Sequence, residues 1–118
     1  GREYSFPNAK FNRFGVATGA TAIKNYPVQG FATADILPLS LINLHKKLDN
    51  YKSVVINTVH DSIVVDVHPK EKDEIIQLLR DSMLSIKDEC SKRYLIDFDM
   101  PIDIELKIGY DWLNLKEI

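Results

Sequence analysis

A histidine–aspartate pair, His60-Asp61, sits between two runs of β-branched residues, Val54-Val-Ile-Asn-Thr-Val59 and Ser62-Ile-Val-Val-Asp-Val67. Such runs favour strands, and a short polar break between them reads as a hairpin turn. A carboxylate fixed on a rigid turn between two strands is well placed to hold a divalent cation through its oxygens. The same pair also suits an ordinary turn, where aspartate bonds its own backbone. A zinc site from His60, Asp61 and His68 is excluded by reach: His68 follows the far end of the second run, roughly 20 Å from the turn at strand rise. Asp103 and Glu105 are candidates for a second metal carboxylate, but alternation with Ile102, Ile104 and Leu106 reads better as the solvated face of a strand. His45 and His68 read as surface residues, and Cys90, at helical spacing, as a small core residue.

The elements that must position this pair follow from period and punctuation. Pro27 to about Asp49 reads as a helix, with proline in its first turn. Apolar residues on more than one side predict a largely buried helix, and Pro38 predicts a kink. Strands at about 53–59 and 62–67 come next. Pro69 opens a second helix to about Arg93, with Glu71, Asp73 and Glu74 near its positive end and Ile75, Ile76, Leu79, Met83, Ile86 and Cys90 on its apolar face. A last strand spans Ile102 to Ile108, and Trp112 anchors the tail. Residues 2–7 alternate enough for one short strand, and 8–19 read as loop. The result is an α+β domain: a small antiparallel sheet with a central hairpin and two long helices on one face. Three strands are near the minimum for independent stability, so neighbouring chain is expected, and residues 1–118 read as a single partial domain.

Composition sets limits. The 118 residues are 45% hydrophobic and 27% charged, which is globular rather than disordered. A formal net charge of −2 argues against a free-standing nucleic-acid binder working through a basic field, though not against one part of a larger machine. One cysteine leaves no internal disulfide and fits a reducing compartment, so a cytoplasmic location is expected. The longest apolar stretch, Phe31 to Leu44, is interrupted by Asp35, Pro38, Ser40 and Asn43 and is too short to span a bilayer.

Three ordered segments then carry a resemblance. Val59-His60-Asp61-Ser62 resembles a Val-His-Asp-Glu motif. Asn25-Tyr-Pro-Val-Gln29-Gly30-Phe-Ala-Thr-Ala-Asp35 resembles Asn-x-x-x-Gln-Gly-x-x-Ala-Asp. Lys107-Ile-Gly109-Tyr-Asp-Trp112 resembles a closing strand with Gly-x-x-Trp, and Gly1-Arg2 resembles a Gly-Arg segment upstream. Together they resemble the C-terminal end of the palm of family A DNA polymerases, the group of bacterial DNA polymerase I and related phage replicases. The resemblance implies nucleotidyl transfer onto a primer 3′ end by two Mg²⁺ ions about 3.5–4 Å apart. It implies Asp61 as a metal ligand, His60 at the primer end, and Asn25 and Gln29 on the duplex minor groove, where every correct pair offers an acceptor. Primer–template DNA, a deoxynucleoside triphosphate, and the fingers, thumb and upstream palm strand are the implied partners.

Two positions depart from the pattern. Ser62 stands where the family has Glu, and Thr21 near where many relatives carry an arginine, for which Lys24 or Arg13 are possible substitutes. By this reading the chain alone holds half a metal site and does not polymerise, and its open sheet edge favours self-association. A separately made small subunit of a split polymerase and a palm-like module without catalysis are the rival readings. Asn25 as a helix cap, Gln29 as a solvated helix residue and Gly30 as a packing position are the plainer alternatives.

Overall fold

A computed structural model describes residues 2–118, so the Gly1 part of the Gly1-Arg2 resemblance lies outside the described residues. After an N-terminal segment without regular strands, the chain forms a long helical element in three parts: α1 (Ala20–Phe31), a π-helical stretch (Ala32–Ile36) and α2 (Leu37–Leu48). The hairpin β1 (Val54–Val59) and β2 (Ser62–Asp66) follows. A 3₁₀ turn (Pro69–Glu71) leads into α3 (Lys72–Leu84) and α4 (Ile86–Tyr94). A second, minimal hairpin pairs β3 (Lys107–Ile108) with β4 (Lys116–Glu117). The expected α+β class, with two long helical elements and a small antiparallel hairpin, is the class observed.

The first helix begins seven residues before Pro27. Gly19, at φ 73°, closes the preceding turn, and nothing from Ala20 onward breaks a helix until Pro27. Pro27 therefore lies inside α1, where a missing N–H and a crowding ring cost about 3 kcal/mol. At Pro38, where a kink is expected, the helix changes register instead. The proline ring would crowd the carbonyl of residue 34, and the helix widens to π geometry over the five residues just before α2.

Two small cores hold the elements together. Leu39 of α2 packs with Ile86 and Cys90 of α4, and Ile102 closes over them. Leu44 and Leu48 of α2 pack with Ile75 of α3 against Val55, Ile63 and Val65 of the hairpin. The helices thus cover one face of the hairpin. Its inward residues follow the two-residue period up to a bulge between Val55 and Asn57, where Ile56 is the extra residue, 60% exposed. Glu71 ties the start of β1 to the 3₁₀ turn. Its carboxylate accepts from the backbone N–H groups of Lys52 and Ser53, at 3.0–3.1 Å, and from the Ser53 hydroxyl at 2.8 Å.

Several expectations change. The second long helix is interrupted at Ser85, whose ψ of −8° breaks the α pattern for one residue. Residues 2–7 form no strand; they cross α1, with Phe6 edge-on to Tyr26 at 5.5 Å between centroids. Residues 102–106 keep the alternation of half-buried Ile102, Ile104 and Leu106 with exposed Asp103 and Glu105, yet pair with no strand. Ile102 packs on the α2–α4 core, and the end of the segment is held by one backbone bond, from the Ile118 N–H to the Leu106 carbonyl at 3.0 Å. Trp112 is 68% exposed and anchors nothing, because residues 109–115 turn away between β3 and β4.

The radius of gyration is 18.4 Å, against roughly 13–14 Å for a compact domain of this length. Large apolar side chains stay open along the elongated body, among them Val28, Val54, Ile56, Tyr110 and Leu113.

Candidate functional site

The hairpin turn is two residues long. Val59 pairs with Ser62, leaving His60 and Asp61 at the tip. His60 has φ 54°, in the left-handed region, while Asp61 does not. Positive φ at the first central position alone marks the type II′ turn, one of the two whose twist matches paired strands. Glycine is the usual residue there, so histidine holds the position at a cost in backbone strain. Ser62 is already engaged, its hydroxyl donating to the Val59 carbonyl at 2.8 Å across the turn. It is a structural clasp of the hairpin rather than a free group.

His60 and Asp61 are both exposed, and the ion pairs of the described residues, Arg2–Asp35 and Lys107–Glu105, involve neither. Mg²⁺ binds through one or two carboxylates and fills its other positions with waters and substrate phosphates. Asp61 meets one such position, with a hard oxygen donor presented outward on a braced turn. No group of three His, Cys, Asp or Glu side chains among the described residues could hold a metal by itself. Asp103 bonds the N–H of Ile104, and Glu105 pairs with Lys107, so neither is aimed at Asp61. His68 accepts from the N–H of Lys70 and donates its own N–H to Ser53, at the base of the hairpin and half-buried rather than on the surface.

Asn25 and Gln29 lie four residues apart on α1, one turn above each other on one exposed face. The early start of α1 removes the reading of Asn25 as a cap, since Gly19 occupies that position. Asparagine in a helix interior is a poor helix former and buries nothing here, so its own contribution to folding is unfavourable. No residue of α1 is fully buried, and its N-terminus has no side-chain cap.

One feature of this face was missed in reading the residues singly. Between Glu3 and Asp35 there is no carboxylate, whereas Lys10, Arg13 and Lys24 give that stretch a formal charge of +3 in a chain of −2. Asp35 is in turn paired with Arg2 at 2.9 Å. The loop before α1 is well ordered: the Asn12 carboxamide accepts from the N–H groups of Phe14 and Val16, and the Arg13 guanidinium lies 4.7 Å from the Phe14 ring centroid. The signal was legible as the distribution of acidic residues rather than as net charge. A surface without carboxylates is what a polyanion requires.

The sequence matches the family model described as DNA polymerase family A over residues 1–114. DNA polymerase I of Lactococcus lactis subsp. lactis (strain IL1403) is 34% identical over 119 residues, covering 98% of this chain and 12% of its own length. DNA polymerase I of Synechocystis sp. is 26% identical over 92 residues, covering 78% of this chain and 8% of its own. The thermostable DNA polymerase I of Thermus aquaticus is 31% identical over 93 residues, covering 79% and 10%. The chain therefore spans about a tenth of the length of these curated relatives. No solved structure gives a significant match.

Proposed function

The chain belongs to DNA polymerase family A, and from that premise we propose that it forms the palm segment of a DNA-directed DNA polymerase, presenting Asp61 to the primer 3′ end. The observation that carries this reading is the turn itself: an exposed, unpaired carboxylate on a two-residue tip, backed by strands packed on two helices. Asp61, together with a carboxylate from elsewhere in the polymerase, would hold Mg²⁺, which when bound would supply charge neutralisation at the primer hydroxyl and the triphosphate. Asp61 orients that ion, and the Ser62–Val59 bond keeps the tip from opening. His60, held at positive φ, projects next to it and contacts the primer end. Asn25 and Gln29 donate from the exposed face of α1 to minor-groove acceptors of the duplex, which tests pair geometry and not sequence. The carboxylate-free stretch around them lowers the electrostatic cost of approaching phosphates.

The extended shape and open apolar side chains support assembly with the rest of a polymerase that covers them. The test is Asp61→Ala in the complete polymerase. Primer extension should disappear while affinity for primer–template DNA is kept. Extension at near-normal rate in that variant would refute the role of Asp61.

A further inference from the structure

The segment Gly30–Asp35 stands out in the sequence, and the metal and duplex roles leave it unused. In the structure it is where α1 passes into the π-helical stretch, and the N-terminal segment crosses it. The Arg2 guanidinium donates to the Gly30 carbonyl at 3.2 Å through one nitrogen and to Asp35 at 2.9 Å through another. Two donors of one planar fork thus span the junction, from the last turn of α1 to the π turn. Tyr4 lies over the same spot and meets Tyr26 edge-on at 6.4 Å, one residue from Asn25. A Cβ built on Gly30 would overlap the Tyr4 hydroxyl and come within 3.4 Å of the guanidinium. Glycine at this position therefore lets Tyr4 and Arg2 cross close to the helix, and a larger residue would push the Tyr4 hydroxyl aside; the backbone here is ordinary helix.

We propose that Arg2 and Tyr4 form a strap that sets the angle at which α1 presents Asn25 and Gln29 to the duplex, making Arg2 a positioning residue for recognition of the primer-terminal pair. This rests on the reading of Gln29 as a minor-groove contact. The mechanical reason is that α1 has no fully buried side chain and meets the core at its C-terminal end, through half-buried Phe31 on the Leu39–Ile86–Cys90 cluster, a single end contact that does not set the helix direction. A π turn is also a joint: its widened ring breaks the register between α1 and α2, so α2's packing in the core does not by itself fix α1. The strap supplies a second constraint beside that of Phe31, at a point one residue beyond Gln29. Arg2 acts through the helix and touches no reacting atom.

The experiment compares extension of primers with matched and mismatched terminal pairs by the complete polymerase. The ratio of the two rates does not depend on how much enzyme is folded, so a merely structural loss leaves it unmoved. Gln29→Ala should lower discrimination roughly fivefold, the size of one lost hydrogen bond, and Arg2→Ala should lower it comparably. Arg2→Lys, which keeps the charge but not the fork, should restore only part. Gly30→Ala should also lower the ratio, and Tyr4→Phe in the same chain should recover it in part, because the overlapping hydroxyl is gone. If Gln29→Ala lowers discrimination and Arg2→Ala does not, the strap is refuted while the duplex contact stands. If Gln29→Ala leaves the ratio unchanged, the duplex contact fails and the strap falls with it.

Discussion

Replacing His60 by glycine should make the hairpin firmer and the polymerase worse. An L-residue in the left-handed region costs about 1–2 kcal/mol, and His60 holds φ 54° at the turn. Glycine removes that cost but adds about 0.5–1 kcal/mol of unfolded-chain entropy. The net gain is about 0.5–1 kcal/mol for closing the β1–β2 tip. Native-state hydrogen exchange reads this directly, since the amides of Val59 and Ser62 open when the turn opens. Their protection should rise about two- to fivefold, the Boltzmann equivalent of that gain at RT of about 0.59 kcal/mol. His60→Val should lower protection, because a β-branched residue tolerates positive φ worse than histidine does. In the complete polymerase, His60→Gly should slow primer extension by roughly fivefold if one hydrogen bond to the primer end is lost. Unchanged or lower protection in His60→Gly would refute the account of the turn as strained. Firmer hairpin and full extension rate together would refute the functional use of the strain.

Three further outcomes follow from the packing and the charges. Ile75 is fully buried between α2 and the hairpin, so Ile75→Ala should cost about 2–5 kcal/mol in urea unfolding and loosen both elements together. For Glu71, desolvation pushes the carboxyl up, but the bonds from Lys52 and Ser53 and the nearby His68 outweigh it and hold it below its ordinary value of 4.5. The unfolded chain then binds more protons, so this contribution is present above about pH 4.5 and is lost as pH falls through the folded value; Glu71→Gln should flatten that acid limb in thermal melts. Burial, with Asp35 and Glu89 nearby, pushes the Cys90 thiol up, and the side chain is fully enclosed. Its alkylation by iodoacetamide at neutral pH should therefore be slow in the native chain and fast after denaturation, and fast native labelling would contradict the α2–α4 core.

What the sequence could carry was set by where its signals are local. The β1–β2 hairpin was legible to within a residue, because β-branched runs and a polar break specify strands and turn without help from elsewhere. The Ile102–Ile108 alternation was legible as one face in and one face out, yet the pairing was not, because period 2 fixes orientation and says nothing of which edge lies alongside. Pro27 misled as a starting signal, since proline's preference for the first turn is statistical, whereas Gly19 at positive φ is a geometric stop. Trp112 misled for a related reason: a large aromatic reads as core only where something lies over it. Cys90 and Ile75 fell at helical spacing and are buried as their spacing required. The Arg2–Gly30–Asp35 contact links positions about thirty residues apart and left no local trace beyond the two motif residues themselves.

These misreadings fall in one place physically. The parts that folded as expected are those with a core of their own, the hairpin and the faces of α2, α3 and α4 around Leu44 and Ile86. The parts that departed are α1 and the Trp112 turn, which leave apolar surface uncovered, and residues 102–106, whose Ile102, Ile104 and Leu106 are half-buried. A 12-residue helix with an internal proline, an uncapped start and no buried side chain is marginal on propensity alone. Its fixed points are the strap at Gly30, the aromatic contacts at Tyr26 and, at its last residue, Phe31, which packs on the Leu39–Ile86–Cys90 core and lies 5.6 Å from the Phe98 ring. The same helix carries Asn25 and Gln29 within a stretch of sequence, between Glu3 and Asp35, that contains no carboxylate. Low intrinsic stability and the proposed duplex contacts therefore fall on one element, and binding to a duplex would supply contacts that its own core does not. Amide protection along residues 20–31 should consequently rise on adding primer–template DNA to the complete polymerase, more than along α3, whose Ile75 is already enclosed. Equal changes in the two helices would mean that α1 is held by protein contacts and that DNA has no selective effect on it.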